Sequence, residues 1–345
     1  PTGVRKMFDL AGGDVISFGL GEPDFQPPAL AIEAFHQAML DGRNKYTTTA
    51  GLPALRSKIA DTWSHLDSGL DENNVCITMS GTNALLNLFL TFVDPGKNVL
   101  LPEPYFPLYG PDVTLCGGES KYYPCLFDNA FVPTIEDLEQ LVDEDTVAIL
   151  YNFPSNPTGG TLSVKQRDDL LAFAKRHNLW ILTDEVYDRI VFDSEHVSFF
   201  GTDYDRVMLI NSFSKTFAMT GWRIGYIGAL DFIAKACTKM QGQITSGPNS
   251  IAQRATIAAL DAPVSSIKYM VDEFKSRRNI VLELLGEIEG FKLNIPDGAF
   301  YVFPNISYFF GKTIKGKYIK DANDFSLFLL EEANVASVTG AAFGA

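Results

Sequence analysis

The sequence is poor in the two residue types that most often hold metals. Its four cysteines, Cys76, Cys116, Cys125 and Cys237, include no CxxC pair, and its four histidines, His36, His65, His177 and His196, show no HExxH or paired-ligand spacing. That pattern argues against a zinc site and a disulfide framework, so no metal is assigned and the thiols are expected to be reduced and buried. Positive charge is also scarce: 28 lysines and arginines against 42 acidic residues leave a net charge of −14. So acidic a surface argues against nucleic acid and anionic membranes as partners. It still permits an anionic substrate, because one arginine can dominate a small pocket. No apolar run reaches spanning length, and no basic-then-apolar leader opens the chain, which begins at Pro1. A soluble, cytoplasmic protein is the expectation.

What is present is ordinary globular composition, 46% hydrophobic and 20% charged over 345 residues, enough for a large core and two domains. Between about residues 75 and 230, short β-rich runs alternate with helical patterns. The expected strands are Val75–Met79, Asn98–Leu101, Val147–Tyr151, Trp180–Thr183, Val207–Asn211 and Ile224–Ile227. Several are continuously apolar, as strands covered on both faces should be. Ser163 and Gln166 form a capping box that opens a helix turning Leu170, Leu171, Phe173 and Ala174 toward the sheet. This alternation predicts an α/β fold with a mostly parallel sheet between helical layers. The grammar changes after about residue 260. A long amphipathic helix, roughly Val264 to Ile288, leads into Phe291–Leu293, Ala299–Phe303 and a helix near Asn323–Ala333. That suits a smaller α+β domain, which the opening run Val15–Phe18 can join. The expected division is a large domain over 29–262 and a small one made of 1–28 and 263–345.

One segment says most about chemistry: Ser212-Phe213-Ser214-Lys215-Thr216-Phe217, continuing to Gly221-Trp222-Arg223. A lysine that forms a Schiff base must spend part of its time as a free amine, and enclosure and nearby positive charge both favour that form. Arg223 can supply the charge while gripping a phosphate with its planar fork. The pair points to pyridoxal phosphate held at Lys215. Other candidates follow expected strands, at the edge where open α/β sheets bind ligands. Ser80-Gly81-Thr82 opens a helix whose free N–H groups make an anion site. Phe106 can stack on an aromatic ring. Asn156 lies in Ser155-Asn156-Pro157-Thr158-Gly159, and Asp184-Glu185-Val186-Tyr187 offers a carboxylate for a pyridine nitrogen with a tyrosine beside it. Taken singly, each has a plain explanation as a turn, a cap, core packing or a solvated lysine. Their order along the chain is what points to one site.

That order resembles the class I aminotransferases, pyridoxal-phosphate enzymes of fold type I. The matching segments also include Gly19-Leu20-Gly21-Glu22-Pro23-Asp24-Phe25, Tyr46-Thr47-Thr48-Thr49-Ala50-Gly51 and Pro296-Asp297-Gly298-Ala299-Phe300, so the resemblance spans nearly the whole chain. It implies an amino-acid:2-oxo-acid aminotransferase of aspartate, aromatic or alanine type, working by alternating half-reactions. Lys215 would carry the Schiff base and shuttle the proton. Asp184 would pair with the pyridine nitrogen, and Asn156 and Tyr187 would hydrogen-bond the ring oxygen. Phe106 would stack on the ring, and Ser80, Gly81, Thr82, Ser212 and Arg223 would hold the phosphate. Tyr46 would reach the phosphate of a neighbouring subunit, which implies a homodimer with shared sites. Gly21 and Asn156 would lie against the substrate. In relatives a segment like Val338–Gly344 is followed by an arginine for the substrate α-carboxylate, so such a residue is expected beyond Ala345. Two alternatives stay open: a C–S β-lyase on the same scaffold, and a non-catalytic aminotransferase-like regulator domain.

Overall fold

Alternating apolar side chains along the central strands fill two separate cores, one on each face of a sheet. In the computed structural model, which describes residues 15–66 and 69–344, Leu100, Ile149, Tyr151, Ile181 and Leu209 pack on one face. Val99, Leu101, Ala148, Leu150, Leu182, Met208 and Ile210 pack on the other. Side chains point alternately up and down a strand, so continuous apolar runs cover both faces at once.

The elements run as follows. β1 (Ile16–Ser17), α1 (Ala29–Leu40) and α2 (Pro53–Asp61) precede β2 (Val75–Thr78), α3 (Gly81–Phe92), β3 (Asn98–Glu103), α4 (Tyr109–Leu115) and β4 (Glu119–Pro124). Then come α5 (Ile135–Leu141), β5 (Thr146–Asn152), α6 (Val164–Arg176), β6 (Trp180–Asp184), β7 (Val207–Ser212), the single turn α7 (Phe213–Thr216) and β8 (Gly225–Gly228). α8 (Asp231–Ile244), α9 (Ser250–Asp261), α10 (Ser265–Gly286), β9 (Lys312–Ile314), β10 (Lys317–Ile319), α11 (Ala322–Ala333) and β11 (Val335–Ala336) complete the order.

The main sheet has seven strands in the order β2-β8-β7-β6-β5-β3-β4. Only β8 runs against the rest, antiparallel to both β2 and β7. All six expected strands are present, and β4 is a seventh, on the edge, that the sequence did not announce. The expected capping box of α6 forms: Ser163 Oγ accepts from Gln166 N, and Gln166 Oε1 accepts from Ser163 N at 2.9 Å. Leu170, Leu171, Phe173 and Ala174 are buried on the sheet side of α6, as its periodicity requires.

β1 pairs in parallel with β11, so the opening run joins the end of the chain. The first fourteen residues of the proposed small domain lie outside the described residues. Phe291–Leu293 and Ala299–Phe303 build no ladder; Lys292 and Asn305 make an isolated bridge there instead. No described helix is long and apolar enough to cross a membrane.

Candidate active site

Strand direction explains why distant segments meet. The carboxyl ends of β2, β3, β5, β6 and β7 share one edge, and β8, running the other way, brings its starting end to that edge. Gly225 on β8 stands in register with Thr78 on one side and Ser212 on the other. Arg223, two residues before Gly225, therefore reaches the same edge as Ser80–Gly81 and Ser212, although more than a hundred residues separate it from the first pair.

These residues form a close-packed cup. A Cβ placed on Gly225 would lie 2.5 Å from the Ser80 carbonyl carbon and 2.6 Å from Gly81 N, so only glycine lets this turn lie on β8. On Gly81, a Cβ would be 3.5 Å from that of Ser212. Ser80 has a φ of 86° and stands at the N-cap of α3 without a side-chain cap bond, where a helix start leaves its first N–H groups without partners within the helix. Its hydroxyl oxygen is buried without a hydrogen-bond partner. A buried hydroxyl at a helix start, with Arg223 nearby, is a donor set suited to a phosphate. Thr82 lies in the first turn of α3 and is half-buried. The Arg223 side chain is exposed and donates to the Thr220 carbonyl at 2.8 Å. Ser212 Oγ caps α7, bonded to Ser214 and to the Ile224 carbonyl.

α7 carries Lys215 back over the sheet edge. Its side chain is half-buried, and Nζ donates to the Gly21 carbonyl on the segment that follows β1. Nζ also stands 5.7 Å from the centre of the Phe300 ring. Burial is the main cause that pulls the amine down to about 8; Arg223 adds to it, while the Glu22 and Asp184 carboxylates oppose it.

Asp184, at the end of β6, is buried, and burial pushes its carboxyl up to about 6 against the hydrogen bonds from Tyr109 and the Val186 N–H. Tyr109 Oη donates to Asp184 Oδ2 at 2.8 Å. Phe106 packs edge-on to Tyr109 at 5.6 Å, which places it in the same corner. Asn156 lies beside Tyr187, near enough to oppose the rise that burial gives its phenol. The hydroxyl of Tyr187 is bonded to that of Tyr301.

At that edge stand Lys215, Asp184, Tyr187, Asn156, Phe106, Gly21, Ser80, Gly81, Thr82, Ser212 and Arg223. Tyr46 lies apart: it is 99% exposed on a loop held from below, where Gln253 bonds Thr47 and Gln241 bonds the Thr49 carbonyl. Three residues of the corner went unread. Tyr109 holds the carboxylate, and Asn152 ties the turn to the strand end, accepting from Asn156 N at 2.8 Å and donating to the Asp184 carbonyl at 3.0 Å. Tyr301 braces Tyr187. Tyr109 is three residues after Phe106, a helical spacing that was available as a signal; nothing local marks Asn152 or Tyr301.

The sequence from residue 13 to 345 matches the family model described as Aminotransferase class I and II. The chain belongs to this family. It is 38% identical over 350 residues to the aspartate aminotransferase of Geobacillus stearothermophilus, covering 100% of this chain and 88% of that protein. It is 36% identical to a probable aspartate/prephenate aminotransferase of Rickettsia felis, covering 99% and 86%. Among solved structures, the aspartate aminotransferase of Rhizobium meliloti superposes with a TM-score of 0.95 at 35% identity, covering 100% of this chain and 90% of that one. The Thermus thermophilus enzyme solved with maleate gives 0.93 at 31% identity, covering 100% and 90%. This class I/II aminotransferase is thus a fold type I, pyridoxal-phosphate-dependent transaminase, and the mixed, mostly parallel sheet is the one expected of the family. Of the readings left open above, the named relatives favour transamination.

Proposed function

We propose that the chain transfers the amino group of aspartate to a 2-oxo acid, with the site residues in the roles set out above. The observation that carries the proposal is the Lys215 amine, held toward its free-base form beside the cup of Ser80, Gly81, Ser212 and Arg223. When bound, pyridoxal phosphate supplies a carbonyl carbon that condenses with amines and a ring that accepts the electron pair from substrate Cα. Lys215 would hold the group covalently through Nζ and, when free, would take up and return a proton at that atom. Asp184, deprotonated against a pyridine nitrogen, keeps that nitrogen charged. Tyr187 and Asn156 would supply donors for the cofactor's ring oxygen, and Phe106 would supply an apolar face for its ring. Gly21 presents its backbone to the substrate carboxylate; a side chain there would meet the Tyr301 hydroxyl at 2.7 Å.

Aspartate is favoured because the curated relatives above are aspartate or aspartate/prephenate aminotransferases, and the Thermus enzyme was solved with maleate, a dicarboxylate. The test is a panel of amino donors, following conversion of the bound cofactor to its amine form. Aspartate should convert it at least about tenfold faster than alanine, the scale of one pocket contact. Equal rates would remove aspartate from the proposal. Pyruvate and ammonia from cysteine conjugates, without regeneration by 2-oxo acids, would replace transamination with elimination.

The same proposal includes a homodimer, the 29–262 large domain, and a small domain of 1–28 with 263–345. The fully exposed Tyr46 on an anchored loop and the β1–β11 pairing support it. Sedimentation of the loaded protein should give the mass of two chains, and a monomer with full activity would refute the shared site.

A further inference from the structure

We infer that Tyr301 is a positioning residue that tunes the bound cofactor through Tyr187; the inference rests on the function proposed above. The phenols of Tyr187 and Tyr301 are hydrogen-bonded, their rings set edge to face at 5.7 Å. Burial raises both phenols well above the usual tyrosine range, so both stay protonated at neutral pH. A phenol has one proton to give. When Tyr187 gives its proton to an anionic ring oxygen, it can meet Tyr301 only as an acceptor, so Tyr301 must donate. A donor that itself accepts a hydrogen bond is polarised and donates more strongly. The relay runs from Tyr301 to Tyr187 to the ring oxygen.

Tyr301 also touches the segment that closes over the site. Its hydroxyl would lie 2.7 Å from a Cβ on Gly21, whose carbonyl accepts from Lys215. One phenol therefore contacts both the ring-oxygen donor and the strap above the lysine. The other titratable or charged groups facing this pair are Asp184 and Tyr109 at the sheet edge; Lys215, bonded to the Gly21 carbonyl, stands next, with Glu22 and Arg223 acting on it. Asn156 is a neutral neighbour of Tyr187. All of these are retained when Tyr301 loses only its hydroxyl.

The experiment is a spectroscopic pH titration of the bound cofactor in the wild-type protein, Tyr301→Phe, Tyr187→Phe and the double variant. Weaker donation to the ring oxygen leaves more electron density on the conjugated nitrogen, so the midpoint should rise. For Tyr301→Phe the rise should be about 0.2–0.6 pH unit, a fraction of one charge-assisted hydrogen bond. For Tyr187→Phe the rise should be larger, and in that background Tyr301→Phe should add nothing. An unchanged midpoint in Tyr301→Phe, or an equal shift with and without Tyr187, overturns the relay. A residue that only supports the fold would lower the melting temperature and leave the midpoint in place. If the wild-type protein shows no titrating cofactor at all, the proposed function fails rather than the relay.

Discussion

Lys215→Ala should lower transamination by about 10⁴-fold or more while leaving the protein able to bind the cofactor without a covalent link. The expected loss lies at the top of the range for one positioned acid–base group because the same nitrogen would also anchor the cofactor. The yellow of the protein-bound imine should disappear with it. Steady-state rates on the best donor, together with the absorbance of the loaded variant, check both halves. The argument rests on the setting of the amine: half-buried, bonded to the Gly21 carbonyl, and pulled down to about 8 chiefly by loss of solvent. An exposed lysine at neutral pH is almost wholly protonated and a poor nucleophile. Retention of normal turnover in the variant would defeat the assignment.

Asp184→Asn should separate activity from stability in opposite directions. Activity should fall about 10²–10³-fold, the scale of losing one partner of a buried charge pair. The cofactor-free protein should become more stable. Burial raises this carboxyl from 3.8 to about 6, so between those values the folded protein holds a proton that the unfolded chain has released. Stability is therefore lost as pH rises through that window, by about 3 kcal/mol once it is passed. Asparagine carries no such cost, and its amide can still meet Tyr109 and the Val186 N–H. Unfolding by denaturant should show variant and wild type alike near pH 4, and the variant ahead by up to that amount at pH 7. A variant less stable than wild type at pH 7 would mean that the carboxylate is not held at a cost. The function of the site and the stability of the empty protein then pull against each other, as they do wherever a buried charge waits for a ligand.

Much of this was legible because strand burial and motif position report the same edge. The runs in β5, β6 and β7 are almost wholly buried, and Asp184, Ser212 and, four residues past β5, Asn156 lie at or just beyond their ends. β4 was missed because Glu119-Ser120-Lys121-Tyr122-Tyr123-Pro124, on the edge of the sheet, mixes polar and aromatic residues and is mostly half-exposed. The reversed direction of β8 could not be read at all, since an apolar run does not state its direction. Yet that reversal is what brings Arg223, before β8, to the same edge as Ser80 and Ser212. The hydroxyl partners were hidden for a related reason. Tyr109 and Tyr301 act on residues 75 and 114 positions away, and a tyrosine in a packed segment looks like core until its oxygen has a neighbour. Motifs supplied the candidate site residues; the fold supplied those that hold them.

The most direct test of the central claim is reduction of the cofactor-loaded protein with borohydride, followed by digestion and mass spectrometry of the peptides. The mass of the reduced cofactor should appear on the peptide containing Lys215 and on no other. Its appearance on a different lysine, or on none in a fully active preparation, would contradict the site described here.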